Sequence, residues 1–193
     1  MERPRTAAGA PRRRTRRTVR IIAGRWRGHN IVAPPGEKTR PTTDRVREAW
    51  MSTLQHDLPG ARVLDLFAGS GALGLEALSR GAAHVTFVEK AGGPLRALQA
   101  NVDKLGVADD VEIVKQDALR YIATVPDHAF DVTLADPPYD SGAAARLIVH
   151  FADAPFSHIL SVEHRAGDAL PALEGARTRR YGDTAITFIT APE

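Results

Sequence analysis

Apolar and polar positions along the chain predict strands and helices in alternation. Two apolar runs organise the rest. The first, Val63-Leu64-Asp65-Leu66-Phe67, ends in Ala68-Gly69-Ser70-Gly71-Ala72-Leu73-Gly74. The second, Asp131-Val132-Thr133-Leu134-Ala135, ends in Asp136-Pro137-Pro138-Tyr139. A mostly apolar run that closes on a polar, Gly-rich or Pro-rich cluster is how a buried parallel strand reads when it delivers a loop at its carboxyl edge. Ligands of open α/β sheets sit at those edges.

The other elements follow in order. Residues 19–33 hold two β-prone runs around a Gly-containing turn and predict a β-hairpin. It carries Arg20, Arg25, Trp26 and Arg27 on its strands and tip. Residues 34–41 are a Pro-rich loop. Thr42 or Thr43 caps a helix to about Gln55, with Val46, Ala49, Trp50 and Leu54 facing the core and Arg45 and Arg47 outside that stripe. Strands are predicted at 61–67, 83–89, 110–115, 130–135 and 157–162. Between them lie helices that end near Gly81, run from Gly92-Gly93-Pro94 to a stop at Gly106, cover about 118–124, and carry Ala144, Leu147, Ile148 and Phe151 on one face. Leu95, Leu98, Val102 and Leu105 mark the buried side of the second of these. Runs at 176–181 and 184–190, joined by Gly182-Asp183, read as a closing hairpin. Alternating β and α units predict a mostly parallel, Rossmann-like α/β sheet with helices on both faces.

Composition narrows the class. At 193 residues with 43% apolar content, one domain with a modest extension is expected, with an Arg-rich disordered arm over 1–18 and a single domain over 19–193. Within that domain the hairpin and loop occupy 19–41 and the catalytic body 42–193. The absence of cysteine excludes disulfides and thiolate metal sites and fits a reducing, cytoplasmic setting. No apolar run has the length of a membrane span, and no secretory core precedes Val19. A mitochondrial leader is disfavoured, because residues 2–18 lack large apolar side chains for an amphipathic face. The seven histidines form no H-x-x-x-H cluster, so no metal is expected. Charge is unevenly spread: residues 1–50 hold 14 Lys+Arg against 4 Asp+Glu, and the remainder holds 12 against 19. A basic end on an acidic body points to a polyanion docking there. Arg12, Arg13, Arg14, Arg16 and Arg17 suit phosphate contacts, and basic residues beside Trp26 suit RNA. The plain alternatives are a solvated tail, and Trp26 packing its hairpin against the body.

Gly69, Gly71 and Gly74 satisfy the dinucleotide pattern G-x-G-x-x-G, with Glu89 twenty residues after Gly69. Asp65 argues against a pyrophosphate, which a carboxylate at the mouth of that strand would repel. S-Adenosylmethionine has no phosphate and carries an ammonium and a sulfonium, so it suits the same loop better. Glu89 would then accept both ribose hydroxyls, and Asp117 would meet the adenine edge; a helix-cap carboxylate is the rival reading for Asp117.

Asp136-Pro137-Pro138-Tyr139 sets the chemistry. Its prolines fix the backbone and bring no N–H donors, so the carbonyls there are available as acceptors. The Asp136 carboxylate and the Pro137 carbonyl together can grip an exocyclic NH2, aim its lone pair at a methyl group, and help remove a proton. Tyr139 offers a ring on which a flipped or unpaired base can stack.

These motifs resemble those of the bacterial 16S ribosomal RNA guanine-N2 methyltransferase family. The resemblance runs from about Arg20 to about Ile189 and is most specific in Arg40-Pro41-Thr42-Thr43-Asp44-Arg45-Val46-Arg47-Glu48-Ala49, Asp65-Leu66-Phe67-Ala68-Gly69-Ser70-Gly71 and Asp136-Pro137-Pro138-Tyr139. It implies a seven-stranded class I methyltransferase sheet, S-adenosylmethionine as cofactor, and methylation of one loop guanine of small-subunit ribosomal RNA. The expected partner is that RNA, free or in the assembled particle, and the expected state is a monomer. The Arg-rich first 19 residues depart from the compact family pattern. The candidate catalytic residues are Asp136, Pro137 and Tyr139. The candidate cofactor residues are Asp65, Phe67, Gly69, Gly71, Glu89, Lys90, Asp117, Ala118, Thr42 and Thr43, and the candidate RNA contacts are Arg20, Arg25, Trp26, Arg27, Arg40 and Arg45. The alternatives are an adenine-N6 methyltransferase and a non-catalytic ribosome-associated RNA-binding protein.

Overall fold

The computed structural model describes residues 18–33 and 43–192. The Arg-rich arm, Arg40 and Thr42 lie outside the described residues. Two short strands, β1 (Thr18–Arg20) and β2 (Asn30–Val32), pair antiparallel. Helix α1 (Asp44–Thr53) follows, then β3 (Arg62–Leu66), α2 (Ala72–Ser79), β4 (His84–Val88), α3 (Gly92–Leu105), β5 (Val111–Val114), α4 (Ala118–Ile122), β6 (Phe130–Ala135), α5 (Ala143–Asp153), β7 (Ser157–Arg165), β8 (Arg177–Tyr181) and β9 (Thr184–Thr190).

The larger sheet has seven strands in the order β5-β4-β3-β6-β7-β9-β8. The first five are parallel, and β9 runs antiparallel between β7 and β8. This is the mixed seven-stranded sheet that the sequence resemblance implies. Strand order reverses direction between β3 and β6, so the two loops singled out in the sequence leave the sheet side by side, at its topological switch point. The apolar runs are continuous because the central strands are covered on both faces. Val63, Val85, Phe87, Val132 and Leu134 pack on one face against Trp50 of α1, Leu75 of α2 and Leu98 of α3. Leu64, Leu66, Val88, Leu160 and Val162 pack on the other against Ile122 of α4 and Leu147, Ile148 and Phe151 of α5. Trp50 is fully buried and donates its Nε1–H to Ser161 Oγ at 2.9 Å. Among the described residues no helix is long and apolar enough to cross a membrane.

The N-terminal hairpin is bolted to the body by polar contacts. Its connecting segment is a series of turns rather than extended strand, so Arg25, Trp26 and Arg27 sit on a loop. Glu76 of α2, fully buried, accepts from the amides of Ile22 (2.8 Å) and Ala23 (3.0 Å). Arg25 N donates to Ser79 O at 2.7 Å, and a Cβ on Gly24 would stand 1.7 Å from that same oxygen, so only glycine allows the approach. At the other end, Asn101 of α3 holds both backbone groups of Val32 and donates to Ser70 O at 3.0 Å, which links the hairpin to the glycine loop.

Two expectations shift. Arg47 lies off the apolar stripe of α1, yet it is only 2% exposed: its guanidinium donates to Arg20 O and Asp44 Oδ1, and its Nε lies 4.0 Å from Glu76 Oε2. The strand expected to end at residue 162 runs on to Arg165, because β9 pairs with it through Glu163 opposite Ile186 and Arg165 opposite Thr184.

Candidate active site

The loops after β3, β4, β5, β6 and β7 open into one cavity of about 1350 Å³. That exceeds an ordinary small-molecule pocket and leaves room for a nucleoside cofactor together with a base. Its floor is the glycine loop. Gly69 N donates to Glu89 Oε2 at 2.9 Å, and Ala91 N donates to Glu89 Oε1 at 2.7 Å, so one carboxylate clamps the β3 and β4 loops together. Phe67 adopts a positive φ of 60°, a strained backbone for a side-chain-bearing residue and one that clusters at functional sites. Gly71 is left-handed (φ 82°), and a Cβ there would lie 2.4 Å from Leu98 Cδ1. Its role is to let α2 start close against α3, behind the cavity wall.

Asp65 lines the cavity at 1% exposure and accepts from Gly74 N at 2.9 Å. Burial pushes its carboxyl from the ordinary 3.8 up to about 7; the Gly74 amide pulls the other way, and the Glu89 charge adds to the rise. This chemistry fits a ligand with a cationic group, which would favour the ionised form. Further round, the wall is Lys90, Gln116 and Ala118. Asp117 between them is the N-cap of α4, with Oδ1 accepting from Leu119 N and Arg120 N and Oδ2 meeting Lys90 Nζ at 3.3 Å. Burial raises its carboxyl, but the Lys90 bond and the two amides outweigh that, and the net direction is down.

Asp136, Pro137, Pro138 and Tyr139 form the opposite wall. The Tyr139 hydroxyl donates to Glu163 Oε1 at 2.8 Å and lies 3.1 Å from Thr184 Oγ1. Burial pushes this phenol up to about 12; the Thr184 bond opposes, and the Glu163 and Asp136 charges add. The hydroxyl is therefore an anchor and a neutral donor. The Arg165 guanidinium stands 5.5 Å from the Tyr139 ring centroid and pairs with Asp140 at 2.9 Å, so a base stacking on Tyr139 meets the ring face away from Arg165 or displaces it.

The cavity thus brings together Asp65, Phe67, Gly69, Glu89, Lys90, Ala118, Asp136, Pro137 and Tyr139. Thr43 instead caps α1 through Val46 N at 3.3 Å. Thr18, Val19 and Ala33 at the base of the hairpin border the cavity. Arg25 and Trp26, stacked at 4.9 Å, sit at Ser79, the far end of α2 and about 10 Å along the helix from Ala72. Arg20, Arg27 and Arg45 are exposed, and Trp26 packs partly against the core. Residues that the sequence did not suggest as site residues also line the cavity, chiefly Arg47, Gln116, Glu163, Arg165, Asp168 and Asp183. Among the described residues no group of His, Asp and Glu is arranged to hold a metal.

Comparison with known proteins adds the following. The family model described as Conserved hypothetical protein 95 matches residues 19–190. The chain is 33% identical to "Putative rRNA methyltransferase YlbH" of Bacillus subtilis over 88% of its own length and 97% of that protein. It is 40% identical to Ribosomal RNA small subunit methyltransferase D of Escherichia coli K12 over 64% of this chain and 62% of that protein. Among solved structures, "Putative methyltransferase yhhF" from Escherichia coli superposes with a TM-score of 0.78 at 33% identity, covering 90% of this chain and 98% of that one. A Salinibacter ruber RNA methyltransferase in complex with S-adenosyl-L-homocysteine shares the fold, with a TM-score of 0.61 at 18% identity over 79% of this chain and 94% of that one.

Proposed function

The chain belongs to the Conserved hypothetical protein 95 family of bacterial small-subunit ribosomal RNA methyltransferases, and from that membership we propose that it methylates the exocyclic N2 amine of one guanine in 16S ribosomal RNA. The observation that carries the reading is the meeting, in one cavity at the sheet's switch point, of the Gly69–Glu89 clamp with Asp136-Pro137-Pro138-Tyr139. S-Adenosylmethionine, when bound, supplies an electrophilic methyl group on a sulfonium. Glu89, Lys90 and Ala118 would hold its nucleoside and Asp65 its ammonium end. Asp136 and the Pro137 carbonyl hold the amine, direct its lone pair, and place Asp136 to receive the proton the nitrogen sheds as it gains carbon. Tyr139 supports the flipped base. Exposed Arg20, Arg25, Arg27 and Arg45 would supply phosphate contacts outside the cavity.

Asp136→Ala is the direct test. It should leave S-adenosylmethionine binding near the parent value in calorimetry and abolish methyl transfer to small-subunit RNA, because it removes a contact made with the reacting amine. Mass mapping of the product should place the methyl on guanine N2. Near-normal transfer by the variant, or tight NAD binding with no response to S-adenosylmethionine, would overturn the reading.

A further inference from the structure

We propose that Glu163 reads the guanine edge: its carboxylate accepts the N1–H that lies beside the amine held by Asp136, and this contact selects guanine against a purine with a bare N1. The inference rests on the N2-methyltransferase reading above.

The geometry behind it is the strand register. Ala135, the last residue of β6, lies opposite Val162 of β7 in a parallel pair, so Asp136 leaves the sheet next to the strand position that Glu163 occupies. Both side chains line the cavity. Glu163 is 3% exposed, and the Tyr139 hydroxyl, steadied by Thr184, fixes its Oε1. The group that orients this carboxylate is thus the tyrosine against which the base is to stack, so base plane and carboxylate are set by one residue. In that contact the carboxylate is the acceptor.

The chemistry of the bases does the rest. Guanine presents N1–H and N2–H2 as adjacent donors. Two neighbouring acceptors, Asp136 with Pro137 O and then Glu163, match that pair. Adenine presents its amine next to an N1 lone pair. A carboxylate facing that lone pair leaves two buried acceptors opposed, and sites built around a buried polar contact reject the analogue that lacks it. A carboxylate at this depth carries a desolvation cost that a neutral glutamine of the same shape would avoid, which is expected of a position held for recognition.

The experiment uses an RNA substrate with either guanine or 2-aminopurine at the methylated position. 2-Aminopurine keeps the C2 amine but has a lone pair at N1. The parent enzyme should prefer guanine by roughly tenfold to a hundredfold in kcat/KM. Glu163→Gln, whose amide can donate to a bare N1, should lose guanine activity and shrink that preference at least tenfold, with an unfolding temperature at or above the parent's and S-adenosylmethionine affinity unchanged. Glu163→Asp, which keeps a carboxylate, should lower the rate on both bases and retain the preference. Equal rates of the parent on both bases, or an unchanged preference in Glu163→Gln, would overturn the assignment; the parent arm holds even if the glutamine variant fails to fold. A parent that puts its methyl elsewhere than guanine N2 would instead refute the reading on which the inference rests.

Discussion

Asp65→Asn separates the energetic role of this carboxyl from its role toward the cofactor. Burial raises Asp65 from 3.8 to about 7. The unfolded chain ionises freely above the lower value and the folded chain resists until the higher one. The group therefore costs nothing below about pH 4, its cost grows at about 1.4 kcal/mol per pH unit, and it saturates near 4 kcal/mol above pH 7. The amide keeps an oxygen for Gly74 N, whose bond to Asp65 Oδ2 is 2.9 Å, and removes the charge. Urea unfolding at pH 5, 6, 7 and 8.5 should show the variant gaining on the parent by about 2 kcal/mol between pH 5 and 7 and levelling off above. The same reasoning gives a cofactor signature. A cationic ligand beside Asp65 stabilises the ionised form, so S-adenosylmethionine binding near pH 6.5 should release protons in the parent, seen as buffer-dependent calorimetric enthalpies, and bind more weakly with no such release in the variant. A stability difference constant from pH 5 to 8.5 would refute the account of a desolvated carboxyl.

Gly71→Ala places a methyl 2.4 Å from buried Leu98 Cδ1 on a backbone with φ 82°, so it should destabilise by about 2–4 kcal/mol in thermal unfolding; a loss under about 0.5 kcal/mol would show that the helix start is loose. Arg25→Gln combined with Arg27→Gln should weaken RNA binding, reduce the slope of log affinity against log salt by about one to two, and leave cofactor affinity alone. An unchanged slope would remove the hairpin loop from the RNA surface.

The parts of the fold legible in the sequence are those written in local pattern. β3 and β6 announce themselves as apolar runs because both sheet faces are covered, Thr43 caps α1 as its position suggests, and Gly106 ends α3 in a left-handed turn. The illegible parts depend on partners far along the chain. Arg47 falls outside the stripe of α1, and its burial is set by Glu76 and by the Arg20 carbonyl, which periodicity cannot see. Asp117 reads as a possible adenine contact, yet the nearer demand is the open amides at the start of α4. Glu163 and Arg165 escape notice because the apolar run ends at Val162; the strand is carried on by hydrogen bonds to β9 rather than by apolar residues. The signal was present all the same, since a mostly apolar strand closing on polar residues is what marked β3 and β6.

Glu76 has a bearing on how such a protein can change through descent. One carboxylate, fully shielded from solvent, accepts from two hairpin amides and from Arg80 at 2.9 Å while balancing Arg47. Loss of one partner from a buried charged group typically costs 3–5 kcal/mol, a large share of the roughly 5–15 kcal/mol that keeps a domain folded. Stepwise substitution at any of the three side chains thus passes through a poorly viable intermediate. A chimera that exchanges residues 18–33 with a relative should accordingly fold best when the positions equivalent to Arg47, Glu76 and Arg80 travel with them.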